Sequence, residues 1–154
     1  MRVVRFLALV VVLNFIRYII GGLVEGPLVL PYLFAEMDAN SGYFNAQFQT
    51  FDWITSYFYN FVVWLSIVWV FHLVRPVLHG NDVVRSLKVF SIMWLFFASL
   101  SAVYMNHYSH PKWFYFWNIL DAFVVFPIVA VANGLLYRRF MDNPVGVAVS
   151  GVGE

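Results

Sequence analysis

Cysteine is missing from the 154 residues altogether. Its absence removes disulfide frameworks, Cys-ligated zinc, iron–sulfur clusters and thiol catalysis together, and leaves the redox compartment unreadable. Charge is scarce as well: Asp, Glu, Lys and Arg make up 11% of the chain, against roughly 25% in soluble domains. The net charge is only +1, and Lys and Arg sit at the ends of apolar runs. Nucleic acid is therefore excluded as a partner, because phosphate binding needs clustered cations. Internal repeats and low-complexity segments are also lacking.

What the chain has instead is apolar surface: 62% of residues are hydrophobic and the mean hydropathy is +0.78. Water cannot be its main solvent. A few helices of about 20 residues each use up most of this length. The expected fold is therefore an all-α integral membrane four-helix bundle over residues 1–140, followed by a flexible tail over 141–154. Aromatics reach 21%, which suits a cavity for a rigid apolar ligand. An aromatic belt with lipid-facing Phe is the alternative.

Four apolar runs predict the spans: Phe6–Phe34, Phe51–Val74, Val89–Met105 and Trp113–Tyr137. The first is interrupted by Arg17 and Glu25 and carries Pro27 and Pro31 near its end. Arg2 and Arg5 ahead of Phe6–Leu13 resemble the start of a signal peptide, but Asn14, Phe15, Ile16 and Arg17 follow without a small-x-small cleavage site. A retained helix is the expectation. With the N-terminus inside, Arg2, Arg5, Arg75, Arg85, Lys88, Arg138 and Arg139 fall on one side and only Lys112 on the other. Both termini are then cytoplasmic. The membrane is the endoplasmic reticulum in a eukaryote or the inner membrane in a bacterium.

Ionisable groups in a bilayer cost about 2.5–3.5 kcal/mol on insertion scales, so each needs a partner, a cavity or a pathway. Glu25 and Asp121 are the candidate catalytic residues. Helical rise puts them at similar depth with Asn60, and the third helix reaches that layer at Ser101. Ser91, Trp94, Ala98 and Ser101 follow helical spacing. Asn14, Tyr18, Gly21 and Glu25 recur at intervals of four, three and four, which places them on one face of a regular helix. The candidate ligand-binding residues are Tyr18, Asn60, Trp94, Ser101, Trp117 and Asn118. Burial favours a protonated carboxyl, so two acids in one pocket can divide the roles of proton donor and acceptor. A lone acid there could equally bind a cationic amine. The structural alternative is an Arg17 pair with Glu25 or Asp121 that locks the bundle, with Gly21 and Gly22 as a close-packing site. His72 and His79 sit at one end, His107 and His110 at the other, so no four histidines meet; no metal and no cofactor is expected.

Two stretches resemble a known family. LVEGPLVLPY at Leu23–Tyr32 is similar to the acidic helix of the emopamil-binding protein family, with its apolar-Glu-Gly-x-x-Val-Leu pattern. HPKWFYFWNILDAFVVFPIVAV at His110–Val131 resembles that family's last helix, where His-Pro leads into aromatics, an Asn and a Pro. The shared unit is the EXPERA domain, a four-helix membrane module found in the sterol isomerase, the sigma-two receptor and related proteins; here it would cover residues 10–140. The resemblance implies an intramembrane cavity for a sterol-like or isoprenoid molecule, or for a lipophilic amine, and acid–base double-bond isomerisation as its extension. Glu25 matches the family's acid, and Asp121 lies near its Asn with Asn118 one turn earlier. The chain departs in having Gly21 where the isomerase has a His, and Tyr59 or Asn60 near the place of its second-helix acid. Asp121 would then supply the second carboxyl.

The expected partners are the bilayer and a hydrophobic small molecule or lipid, with a homodimer as one assembly. The rival reading is a noncatalytic membrane subunit or chaperone whose polar layer serves helix association. A proton or ion pathway ranks last, since only Arg17, Ser66 and His72 continue the polar path inward.

Overall fold

The computed structural model describes residues 2–44 and 49–142. Among these residues all regular structure is helical. Four helical stretches are long and apolar enough to cross a membrane: Arg2–Leu28, Thr50–Val77, Asp82–His107 and Lys112–Met141. Each overlaps one of the four apolar runs. At 1.5 Å per residue all of them exceed the roughly 30 Å hydrocarbon core. The expected tail lies, from residue 143 onward, outside the described residues.

The first span is composite. Helix α1 (Arg2–Ile16) passes through a π turn at Arg17–Gly21 into α2 (Gly22–Leu28); the chain breaks at Val29, with φ −129°, and resumes as α3 (Leu30–Ala39). The sequence reading of one run to Phe34 is thereby divided. Proline has no N–H, so Pro27 cannot donate to Leu23 nor Pro31 to Pro27, and these two lost donors flank the break. Helix α4 (Thr50–Val74) opens on a capping box in which the Gln49 side chain and Asp52 bond reciprocally to backbone N–H groups. A 3₁₀ turn, Arg75–Val77, closes it. Gly80, at φ +109°, occupies a conformation that L side chains rarely adopt. Asn81 then caps α5 (Asp82–His107), accepting from Val84 N at 2.9 Å. The last helix is α6 (Lys112–Met141).

Helix α6 is central: it packs on α1, α2, α3 and α5, while α4 packs on α1 and α5. Helices α5 and α6 approach closely at Gly134, where an added Cβ would lie 2.4 Å from Val83 Cα. Beside it Asn133 donates to Ser86 Oγ at 3.0 Å, fully buried.

The core occupies one half of the bundle. Phe6, Leu9, Val10 and Leu13 from α1 meet Trp64, Ile67, Val68 and Phe71 from α4, Val89 and Phe90 from α5, and Val125, Val129, Ala130 and Tyr137 from α6. All of these lie toward the arginine-rich end of their helices. In the other half no residue of α4 between Thr50 and Val63, nor of α6 before Val125, is buried. Nearly half of the side chains in these stretches are aromatic, so the bundle is tight at one end and looser and aromatic-rich at the other.

Candidate functional site

The polar cluster of the bundle is built where the tight half ends. Gly21, the last residue of the π turn, is buried with an added Cβ 3.7 Å from Val125 Cγ2. The two helices are antiparallel, so one turn past Gly21 the chain presents Glu25 to the residue one turn before Val125, which is Asp121. Glu25 is 4% exposed, and Asp121 is near enough for the two carboxyls to act on each other electrostatically, with no hydrogen bond between them. Arg17 Nη1 donates to Glu25 Oε1 at 2.9 Å.

Arg17 and Glu25 are eight residues apart, and the π turn is what lets them meet. In an unbroken α-helix eight residues leave the chain about 80° past two full turns. One extra residue absorbed in a π turn makes the pair behave as if seven apart, within about 20° of a common face. Glu25 then points back along the helix toward Arg17, as helical side chains do.

Among the described residues five buried side-chain polar atoms have no hydrogen-bond partner, and three belong to this cluster: Arg17 Nε, Glu25 Oε2 and Asp121 Oδ1. Most buried polar atoms are paired, so three open ones at one place call for an explanation. Two carboxyls face a single guanidinium. A cluster of that composition is neutral when the carboxyls hold one proton between them, and isolated charge is costly in a low dielectric. It can therefore give up a proton, accept one, or receive a cation.

The remaining candidates are spread over the π turn, α4, α5 and α6. Tyr18 is exposed; the Arg17 guanidinium lies 4.8 Å over its ring, which meets Tyr57 of α4 edge-on at 5.4 Å. The regular spacing that groups Tyr18 with Asn14 and Glu25 is broken by the π turn. Asn14 turns back to Val10 O at 3.0 Å. Asn60 accepts from Trp64 Nε1 at 2.7 Å within α4, and Ser101 is buried on α5; neither hydrogen-bonds to the cluster. Trp94 Nε1 donates to Ile119 O at 3.2 Å, tying α5 to α6 two residues from Asp121. Trp117 stacks on Tyr32 of α3 at 4.7 Å, and Asn118 is half-buried.

A second polar cluster, at the arginine-rich end, escapes a reading of the sequence alone. Asp82, 4% exposed, accepts from Arg75 through both oxygens at 2.9 and 3.0 Å. Arg138 Nε donates to it at 2.6 Å, and Arg85 lies 3.5 Å away. Arg75 also reaches Asp142 at 2.6 Å and sits 4.7 Å over the Tyr137 ring, whose hydroxyl shares a hydrogen bond with His72 Nδ1. One acid among several end-of-helix arginines was the available signal; sequence-distant Arg138 and Tyr137 are joined to it only by the antiparallel packing of α5 and α6. No family model, curated protein or solved structure matches this chain.

Proposed function

We propose that this chain is an EXPERA-like membrane protein, with both termini cytoplasmic, that holds a sterol-like or isoprenoid ligand against the Arg17–Glu25–Asp121 cluster. The observation that carries the reading is the trio of open polar atoms on two adjacent carboxyls and one guanidinium, set where close packing gives way to an aromatic half. A ligand entering from the bilayer between α4 and the other helices would place its apolar body among rings such as Tyr18 and Tyr57. Its single polar feature, a hydroxyl, an amine or a polarised double bond, would meet the carboxyls. The same pair supports acid–base double-bond isomerisation: one carboxyl delivers a proton to one carbon of the alkene while the other removes a proton from a neighbouring carbon, so the cluster ends with the proton count it began with.

The test is purification in mild detergent followed by mass spectrometry of copurifying lipid. Asp121→Asn leaves the Arg17–Glu25 pair in place; Glu25→Gln tests the other acid. The expected outcome is a discrete hydrophobic ligand with the native chain and its loss in both variants, at unchanged protein yield. A variant that retains the ligand in full would overturn the assignment.

The exposed face of α4 favours a second reading, a noncatalytic subunit or chaperone. Phe51, Trp53, Ile54, Tyr57, Phe58 and Tyr59 are each more than half exposed, a largely aromatic surface that the chain's own helices leave uncovered. A stoichiometric protein partner without a copurified ligand would decide for it.

A further inference from the structure

At the arginine-rich end the chain encloses a pocket of about 400 Å³, lined among others by Arg2, Phe6, Trp69, His72, Arg75 and Tyr137. Its chemistry changes with depth. Arg75 and Arg2 stand near the ends of their helices. Trp69 is six residues before Arg75, about 9 Å deeper at the helical rise, and Phe6 lies beside it with ring centroids 5.7 Å apart. His72 sits between the two levels. Its Nδ1 is engaged by Tyr137, which leaves Nε2 as the ring nitrogen open to a ligand. Trp69 is 53% exposed, so the apolar level opens sideways toward the bilayer.

The charges around this pocket do not balance. Of the charged residues that line it, Arg2 and Arg75 stand against Asp142 alone; Arg75 also holds Asp82, whose charge Arg85 and Arg138 share. Arg2 has no ion-pair partner among the described residues, although it lines the pocket. A cationic mouth, a polar middle and an apolar, laterally open base fit one molecule that has an anionic head and a hydrocarbon chain. Basic pockets between helices at a membrane surface suit phosphate-bearing head groups, and guanidinium matches phosphate oxygens in geometry.

We propose that this pocket binds a phosphate-bearing anionic amphiphile, with its head group at Arg2, Arg75 and His72 and its chain leaving past Phe6 and Trp69. The site is separate from the Arg17–Glu25–Asp121 cluster and does not depend on what that cluster binds.

The full-length chain in a non-ionic detergent is titrated with dioleoyl phosphatidic acid, dioleoyl phosphatidylcholine and inorganic phosphate, with binding read by native mass spectrometry and by thermal shift. Phosphatidic acid is expected to bind more tightly than phosphatidylcholine. One arginine near a membrane surface contributes about 1 kcal/mol toward an anionic lipid, so Arg2→Gln should weaken phosphatidic acid about fivefold. Trp69→Ala should weaken it too, whereas Arg5→Gln, which removes the same charge from the neighbouring groove with Arg139, should leave it unchanged. Equal losses for Arg2→Gln and Arg5→Gln would reduce the effect to general surface charge and overturn the site. If inorganic phosphate binds as tightly as phosphatidic acid and Trp69→Ala has no effect, the pocket serves a free anion and the amphiphile proposal fails.

Discussion

Asp82 and Asp142 both bind Arg75, yet they occupy different surroundings. Asp82 is buried and receives three arginines; the Asp142 side chain is 44% exposed. Removing one partner of a buried ion pair leaves uncompensated charge and typically costs about 3–5 kcal/mol, whereas an exposed pair contributes about 0–1 kcal/mol. Asp82→Ala should therefore lower the thermal unfolding midpoint in detergent by many degrees, and Asp142→Ala should barely move it. Equal effects would mean that Asp82 does not hold this end of the bundle together. The burial of Glu25 has the same logic with a different outcome: its single arginine leaves a neighbouring carboxyl over, and that surplus makes the Glu25 cluster the functional candidate.

Helix-level features explain how those residues come to meet. A π turn is in effect one residue inserted in an α-helix, so deleting Ile20, an exposed residue of that turn, should restore a regular helix with Glu25 still opposite Asp121. This variant is expected to accumulate and melt near the native chain. Deleting Val124 from regular α6 should abolish accumulation, because every residue after it rotates by about 100°. Two helical glycines offer a matched contrast. An added Cβ at Gly134 meets Val83 backbone at 2.4 and 2.7 Å, whereas one at Gly22 meets nothing within 4 Å. Gly134→Ala forces α5 and α6 apart and should destabilise by about 1–3 kcal/mol or more, while Gly22→Ala should be neutral or stabilising by up to about 1 kcal/mol. Chemical denaturation of both variants in one detergent checks the pair.

For the protein as a whole, the absence of cysteine makes its proposed orientation directly measurable. Single cysteines in place of Gly42 and Asn81 lie at opposite ends of the bundle, in exposed positions between spans. If the basic ends face the cytoplasm, a membrane-impermeant maleimide applied to intact bacterial cells expressing the chain should label Gly42→Cys and spare Asn81→Cys until the membrane is opened. The opposite pattern would invert the topology. Orientation also bears on the two candidate sites. The aromatic half with Glu25 and Asp121 would face the outer leaflet, and the arginine-lined pocket would face the cytoplasmic leaflet, where anionic lipids attract basic side chains.

Four spans were legible in the sequence because apolar runs of this length have one stable use, a helix whose backbone satisfies its own hydrogen bonds in lipid. The rarity of Arg17, Glu25 and Asp121 in such runs also marked them as candidates, since charge there is costly wherever it sits. Their meeting was not legible in detail. It depends on a π turn that shifts the helical phase, and on the antiparallel register set by Gly21 against Val125, neither of which local spacing encodes. The start of α5 was hidden for a related reason: Asp82, Arg85 and Lys88 interrupt the apolar pattern, so the third run begins only at Val89, and Asp82 is neutralised by Arg75 and Arg138 from other helices. The apolar runs thus determined that the chain forms four helices long and apolar enough to cross a bilayer, because the cost of burying an unpaired backbone is local. Which charges pair, and which half of the bundle stays open, was decided only by tertiary packing, because those energies belong to side chains far apart in the chain.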